Sequence, residues 1–255
     1  MIFFLLSFGG LTAGMLGGLL GIGGGILIMP LLRFVLGFEP AYAVGTCMVA
    51  VFFTTLGGSL KHFKLRHIDF RLILPVVISG LLSTIIFSLF FFHLSHNDPW
   101  LDIGTGVVFS LVAFRMLWEG ITEYLKKRPS AKSGQRTESS LSAKITIGSA
   151  AGLLPGLLGI GTGALLVPAF TFALNVPIKI AIGSSLACFS LNAFASSLLK
   201  LAQGFVQIPV LVPLCLGTLI GAQFGATLNG RLNTPSLKVL FGAVFIYVAS
   251  KYLLL

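Results

Sequence analysis

The sequence predicts an all-α integral membrane protein in which about eight transmembrane helices form two copies of one four-helix unit. Hydrophobic residues make up 56% of its 255 residues and charged residues only 9%, whereas a soluble domain carries about 25% charged residues. The apolar runs reach about 20 residues, which suits membrane-crossing helices and not the alternating strands of about 10 residues in an outer-membrane barrel. A glycine-rich motif that occurs twice indicates the duplication.

The repeated motif reads GLLGIGGGILIMP at residues 18–30 and GLLGIGTGALLVP at residues 156–168, an offset of 138 residues. Nine of the thirteen positions are identical. The offset persists beyond the motif, in the pairs Gly45/Gly183 and Pro75/Pro213. Because similarity at a fixed spacing indicates a duplicated structural unit, we predict transmembrane repeats at 1–125 and 143–255, joined by a basic cytoplasmic linker at 126–142.

Each copy begins with an apolar stretch that is too long for one straight helix. Residues 1–37 would form a helix near 55 Å long, against a hydrocarbon core of about 30 Å. Glycine and proline both weaken a helix, so we expect a break in the glycine cluster at residues 21–25. The first helix of each repeat is therefore predicted to be broken, with two half-helices inside the membrane.

The net charge of +10 does not indicate a nucleic-acid partner, because the cations cluster in two short loops. These cations are Lys61, Lys64, Arg66 and Arg71 around one loop and Lys126, Lys127, Arg128, Lys132, Arg136 and Lys144 around the other. Such loops face the cytoplasm. An even number of spans separates them, which predicts parallel repeats about an axis along the membrane normal and both termini in the cytoplasm. Arg231 and Lys238 fall on the predicted outer side and argue against this topology.

No motif for an enzyme, a metal or a cofactor occurs in the sequence. The patterns HExxH, GxSxG and GxxxxGK[ST] are absent, and the three cysteines lie in apolar runs without a nearby histidine. The sequence therefore predicts a protein that is not an enzyme. With no ATP site, any transport is passive or driven by a gradient.

The two glycine motifs are the first candidate binding site. A helix that starts inside the membrane carries free backbone N–H groups and about half a positive charge at its N-terminus, which suits an anion. The candidate residues are Gly23, Gly24, Gly25, Gly161, Thr162 and Gly163. The alternative is that glycines only let helices pack closely, which we expect for Gly14/Gly18 and Gly217/Gly221/Gly225.

Polar side chains of the second span in each copy are the next candidates. Ser185 and Asn192 lie on one helical face, and Thr46 and Ser184 follow the glycine motifs closely in sequence. Their hydroxyl groups either bind substrate oxygens or bond back to their own helix. Arg33 and Arg115 are possible anion-attracting cations, although Glu119 lies four residues from Arg115 and can neutralise it.

These motifs, GIGGGILIMPLL followed by AVGT and their second copy GIGTGALLVP followed by AIGSSLA, resemble the TauE/SafE sulfite exporter family over essentially the whole chain. The resemblance implies a transporter of small sulfur-containing or organic anions, such as sulfite, sulfoacetate or thiosulfate, in a bacterial inner membrane. The first copy departs from the family with Cys47 and Met48 where Ser-Leu is common. The second copy is therefore the better candidate for substrate contacts.

Three functions stay open at the level of the sequence. The leading hypothesis is a secondary transporter that exports a small anion with the proton-motive force. The alternatives are an anion channel and a non-transporting adaptor that acts through the basic loop. The expected partners are the small anion and membrane lipid, and the sequence leaves the oligomeric state undetermined.

Overall fold

The structure is a computed structural model that describes residues 2–95, 98–126, 140–228 and 234–254. In this part of the chain ten α-helices and no strand occur, which confirms the all-α prediction. They are α1 (Ile2–Leu20), α2 (Gly25–Pro30), α3 (Pro40–Lys64), α4 (Phe70–Leu94), α5 (Asp98–Lys126), α6 (Leu141–Leu157), α7 (Gly163–Pro168), α8 (Ile178–Ala202), α9 (Ile208–Leu228) and α10 (Thr234–Leu253). The helices α2 and α7 continue into π-helical turns, Leu31–Val35 and Ala169–Ala173.

Six of the described helices, α1, α3, α4, α5, α8 and α9, are long and apolar enough to cross a membrane. Three shorter apolar helical stretches also occur, Gly25–Val35, Leu141–Leu157 and Gly242–Leu253. The chain is thus a multi-pass membrane protein. Each half has five helices among the described residues, of which α1 and α2 in the first half, and α6 and α7 in the second, lie on either side of the predicted break.

The glycine break reverses the direction of the chain and does not merely kink a helix. The backbone of Gly17 lies against that of Gly24, which also faces the carbonyl of Ala13, while Gly9 lies against the side chain of Leu31. Later residues of α2 thus contact earlier residues of α1, so the two helices form a hairpin. Three glycines of the turn have positive φ angles, which residues with a Cβ atom rarely adopt.

The pattern of contacts between helices stays the same when the two halves are exchanged. The α1 helix packs on α9 as α6 packs on α4, and α3 packs on α9 as α8 packs on α4. The remaining large contacts join α3 to α8 and α5 to α10, which are equivalent helices. The halves therefore share one fold, related by a twofold axis that passes between α3 and α8.

The two halves are inverted, so the prediction of parallel repeats is wrong. The hydroxyl of Thr46, near the start of α3, accepts a hydrogen bond of 3.0 Å from the amide of Gln207, which follows the end of α8. The hydroxyl of Ser184, near the start of α8, accepts one of 3.1 Å from the amide of Asp69, which follows the end of α3. Equivalent helices thus run antiparallel, because each hairpin adds one reversal to its half.

The inversion also changes where the termini lie. Gly106, near the start of α5, packs on Leu253 near the C-terminus, and α1 starts beside the start of α9. Both termini therefore lie at the end opposite to the basic loop between α3 and α4, and not on its side as expected. The second basic loop, at residues 127–139, lies outside the described residues, as do His96 and Arg231; nothing is described of the side chain of Lys238.

Close packing of α1 on α9 depends on glycines from both helices. Gly14 and Gly18 lie against the backbone of Thr218 and Ala222, and the reciprocal contacts come from α9. The glycine seam is defined here as Gly10, Gly14 and Gly18 of α1 with Gly217, Gly221 and Gly225 of α9. Since an added Cβ atom would collide with the facing backbone along this seam, the predicted packing role of these glycines is confirmed.

Candidate functional site at the hairpin tips

Two helical hairpins meet at the buried centre of the molecule. Tip 1 is the turn between α1 and α2, residues 21–24, and tip 2 is the turn between α6 and α7, residues 159–162. The predicted site residues lie in these tips or at the first position of the following helix: Gly23, Gly24 and Gly25 at tip 1 and Gly161, Thr162 and Gly163 at tip 2. All six are buried. The helix N-termini that were expected to face each other are thus brought together.

The tips touch through their backbones. Gly161 lies against the carbonyl of Ile22, Gly163 against the carbonyl of Gly21, and a Cβ atom on Gly25 would come within 3.0 Å of the Gly161 amide. No space is left for a side chain at these positions. The motif therefore contains glycine because two buried turns approach each other there.

The tips differ at one equivalent position. Gly24 has φ of 73°, whereas Thr162 has φ of −80°, which any residue adopts. Tip 2 therefore accommodates a threonine, and its buried hydroxyl Oγ1 has no hydrogen-bond partner among the described residues. Tip 2 thus carries an unused polar side chain, and tip 1 has none at this position.

Among the side chains of α3 and α8 that contact the tips, one equivalent pair differs in polarity. The hydroxyl of Ser185 donates to the Gly21 carbonyl at 3.3 Å and to the Ile182 carbonyl at 2.8 Å. The equivalent Cys47 thiol contacts the Gly25 carbonyl at 3.6 Å. Since a thiol is a weak donor, the α8 side of this contact is the more polar, as the sequence indicated.

Thr46 and Ser184 are not brought to the tips. Their hydroxyls accept hydrogen bonds from the amides of Gln207 and Asp69 at opposite ends of the molecule. They hold the loops that follow α8 and α3. Closeness in sequence to the glycine motif was therefore a poor guide to their positions.

Asn192 lies in the middle of α8 with 1% of its surface exposed. Its Nδ2 atom is close to Gly80 of α4, where only glycine leaves room for the amide. The Oδ1 atom has no hydrogen-bond partner within the described ranges. A buried amide with unused bonding capacity is unusual in a folded protein, so Asn192 remains a strong candidate.

The two candidate arginines each have an acidic partner. Arg33 binds Asp102 of α5 through two contacts of 2.7 and 3.2 Å and also donates to the Phe38 carbonyl at 2.9 Å. Arg115 pairs with Glu119 at 2.9 Å on the same helix. Both charges are thus balanced within the protein, which leaves less for attracting an anion.

The sequence analysis did not identify Lys200 as a site residue. Lys200 is fully buried, its Nζ atom donates to the Gly156 carbonyl at 2.9 Å, and it lies 3.0 Å from the centre of the Phe91 ring. His62, the residue 138 positions earlier, is also fully buried and lies beside the backbone of Gly18. The repeat offset of 138 would have revealed this pair, because it places two basic residue types at equivalent positions beside the equivalent glycines Gly18 and Gly156.

Lys200 lies among polar side chains of α4 and α8. The polar seam is defined here as Ser83, Thr84 and Ser88 of α4 with Asn192, Ser196, Ser197 and Lys200 of α8 and Gln203, which follows α8 directly. Ser83 and Thr84 donate to carbonyls of α6 at 2.7 and 3.1 Å. Hydroxyl groups of α4 thus face the glycines of α6, where in the equivalent pair α9 and α1 both helices present glycines.

At the opposite end, His62 contacts His67 of the following loop, with 3.2 Å between the two Nδ1 atoms. Partial burial and the charge of Lys179 lower the pKa of His67 below its ordinary value near 6.5. Among the described residues no group of three or more His, Cys, Asp or Glu side chains is arranged to hold a metal ion.

Comparison with known proteins gives a consistent result. The relatives include the "Probable membrane transporter protein YjnA" of Bacillus subtilis, 30% identical over 93% of this chain and 94% of that protein. They also include YunE of the same organism, 26% identical over 97% of this chain and 96% of the relative. A relative from the archaeon Methanocaldococcus jannaschii, also named a probable membrane transporter, is 25% identical over 94% of this chain and 91% of the relative.

No solved structure matches the chain. The family model described as sulfite exporter TauE/SafE matches residues 6–252, a range that contains both hairpins, both seams and every candidate site residue. On this match the chain belongs to the TauE/SafE sulfite exporter family of membrane transporters.

Proposed function

We propose that the protein is a secondary transporter that exports a small sulfur-containing or organic anion, with sulfite, sulfoacetate and thiosulfate as candidate substrates. The export would cross the bacterial inner membrane and be coupled to the proton-motive force. The observation that carries the proposal is the meeting of two inverted hairpin tips at the buried centre, each with a helix N-terminus directed there. Non-helical backbone inside a membrane is tolerated where it lines a cavity or binding site.

The substrate path runs past the tips, along residues from both halves. Backbone N–H groups of Gly24 and Gly25 on one side and of Gly161 and Gly163 on the other are the proposed donors for oxyanion oxygens, while the Gly23 N–H shapes tip 1 through the Gly17 carbonyl. Thr162 adds an unpartnered hydroxyl and Asn192 an unpartnered amide oxygen, and Ser185 holds tip 1 through the Gly21 carbonyl. The donors suit an anion, and the absence of room at the glycines favours a small one.

The inverted relation of the halves suggests how the path opens. In transporters built from inverted repeats, the halves exchange conformations and expose a central site first to one side and then to the other. By the positive-inside rule the loop between α3 and α4 faces the cytoplasm, which places both termini outside. The membrane potential, negative inside, favours anion exit by about 2.3 kcal/mol per charge per 100 mV.

Uptake of labelled sulfite into proteoliposomes tests the proposal. The measurement is made with and without an imposed pH gradient and potential, and with unlabelled thiosulfate, sulfoacetate and sulfate as competitors. We expect saturable uptake that responds to the gradient and is blocked by at least one competitor. Replacing Gly161 and Gly163 with Leu should abolish it, whereas Gly37→Asn, at an open loop position whose φ of 68° asparagine tolerates, should retain it.

Two results would contradict the proposal. Flux that does not saturate and shows no exchange between substrates would indicate a channel. Flux no greater than in liposomes without protein, for every anion tested, would exclude this substrate class and favour the adaptor that acts through the basic loop.

A further inference from the structure

We propose that Lys200 and the polar side chains beside it form a binding site for one small oxyanion, next to tip 2 and only in the second half of the molecule. The inference rests on the proposed function, because it names a cation that would bind the exported anion. It goes beyond the tips themselves, which contain no charged side chain.

Lys200 is a buried lysine without a carboxylate partner among the residues whose side chains the structure describes. The buried or half-buried acids among those residues are engaged elsewhere: Asp102 with Arg33, Glu119 with Arg115, and Asp69 at the start of α4. The Lys200 ammonium has only the carbonyl of Gly156 and the face of the Phe91 ring. A buried charge needs a counter-charge or loses its proton. The end of α6 supplies only about half of a negative charge.

Some polar groups of the seam are bonded to one another and others are not. The Ser88 hydroxyl donates to the Ser196 hydroxyl oxygen at 3.4 Å, Ser196 donates to the Pro155 carbonyl at 2.7 Å, and Gln203 donates to the Ser88 carbonyl at 2.9 Å. The buried Ser197 hydroxyl and the Gln203 Oε1 atom have no partner in the described part of the chain. Such groups are commonly satisfied by a ligand or water.

These side chains also share one face of one helix. Asn192, Ser196, Lys200 and Gln203 follow one another at intervals of four, four and three residues along α8, which places them in a row. The row runs from the middle of the helix towards its end, past tip 2. The Lys200 amine and the Ser197 hydroxyl are the donors that suit the acceptor oxygens of a small oxyanion, while the unpartnered amide oxygens of Asn192 and Gln203 suit an oxyanion that still carries a proton, such as hydrogen sulfite.

The site is not duplicated. The residues equivalent to Asn192, Ser196, Lys200 and Gln203 are Thr54, Gly58, His62 and Leu65. His62 already contacts His67, and the hydroxyl of Thr54 donates to the Ala50 carbonyl of its own helix. One anion site per chain, displaced from the twofold axis towards the second half, follows from this difference.

Substitution of Lys200 in the full-length purified protein tests the assignment, with sulfite as the probe. For Lys200→Met we expect a melting temperature without anion that equals or exceeds the wild-type value, because an unpaired buried charge is removed. Sulfite should raise the melting temperature of the wild type but not of this variant. The KM for sulfite uptake should rise at least tenfold. Lys200→Arg should keep part of the affinity.

Lys251→Met is the matched control, because Lys251 is an exposed lysine at the same end of the molecule. It should behave as the wild type. The proposal would be overturned if Lys200→Met lowers the melting temperature without anion, or if its KM stays within twofold of the wild-type value. Lys200 would then only stabilise the C-terminal end of α6. Should that variant fail to accumulate, Ser197→Ala replaces it: its hydroxyl has no partner to lose, and a KM unchanged from the wild type overturns the site.

The proposed transport and the proposed anion site can be refuted independently of each other. If wild-type liposomes move no anion, the proposed transport is wrong, and the melting temperature still decides the inference. A rise in melting temperature with sulfite, sulfate or thiosulfate that Lys200→Met removes would support the site without transport. No rise for the wild type with any of these anions would overturn the site.

Discussion

The glycine seam and the equivalent contact between α6 and α4 have the same backbone arrangement but differ in the chemistry of one helix. In the glycine seam α1 and α9 both present glycines, whereas α6 keeps glycines such as Gly152 and α4 presents Ser83 and Thr84, whose hydroxyls donate to α6. The positions equivalent to Ser83, Thr84 and Ser88 are Gly221, Ala222 and Ala226. The duplication thus preserved helix packing, while α4 carries polar groups that this packing does not require.

The two hairpins also differ, in how each is attached to the rest of the molecule. Arg33 ties the first hairpin to α5 through Asp102, but the equivalent residues of the second half are Thr171 and Leu240. Thr171 donates only to the Val167 carbonyl of its own helix. The hairpin of α1, which forms the glycine seam, is therefore anchored to α5, and the hairpin of α6, which packs on the hydroxyls of α4, lacks the equivalent anchor.

Exchanging one residue between the seams gives the largest expected effect. Gly221→Ser places a side chain against the Leu11 carbonyl, and we expect a loss of about 3 kcal/mol in the free energy of unfolding, as for an overpacked core. Ser83→Gly loses one hydrogen bond to Ser149 and should cost about 1–2 kcal/mol. Unfolding in detergent micelles measures both. Equal losses of stability would mean that the α1–α9 and α6–α4 contacts depend equally on the residue at this position.

The hairpin anchor gives the next effect. Asp102→Asn removes the carboxylate that binds the half-buried Arg33 and should cost about 2 kcal/mol. Glu119→Gln breaks a more exposed pair and should cost less than about 1 kcal/mol. The double variant Arg33→Gln with Asp102→Asn should recover part of the loss. The same unfolding assay checks this, and an Asp102→Asn protein as stable as the wild type would show that the first hairpin needs no anchor.

A smaller effect concerns pH at the loop after α3, where His67 stands in the place of Phe205 in the second half. Because the pKa of His67 is lower in the folded protein than its ordinary value near 6.5, the unfolded chain binds more protons in acid. Stability should fall as the pH drops below about 6.5. Melting temperatures from pH 8 to pH 5 measure this. His67→Phe should flatten this pH profile. If the variant loses stability in acid as the wild type does, groups other than His67 cause the pH dependence.

The sequence was sufficient to predict the helical membrane fold, the duplication and the packing glycines. Hydropathy and repetition are properties of the chain itself, and small residues at intervals of four report close helix contact directly. Gly14, Gly18, Gly217, Gly221 and Gly225 all lie where that spacing predicts.

The direction of the repeats could not be predicted in the same way. A glycine cluster indicates that a helix ends, but whether the next helix continues or turns back depends on tertiary contacts such as those of Gly17 with Gly24 and Gly9 with Leu31. A single reversal per half changes the parity of the crossings and therefore the symmetry of the molecule.

Only part of the candidate site could be predicted, because the direction of a side chain also depends on tertiary contacts. Glycines of the tips were identified because the motif repeats, and Asn192 because an amide in the middle of a span needs partners. Lys200 was missed since it lies two residues from the end of α8, where lysines usually extend to the membrane surface. Only the fold shows that its side chain turns inwards to Gly156.

The most direct test of the central claim, that the anion is bound on the polar side, is equilibrium binding of labelled sulfite to matched variants at one equivalent pair. Asn192→Ala removes the amide with an unpartnered oxygen, and Thr54→Ala removes a hydroxyl already bonded to Ala50. The account predicts at least tenfold weaker binding for Asn192→Ala and a change within twofold for Thr54→Ala. Equal weakening of both, or weakening by Thr54→Ala alone, would contradict it.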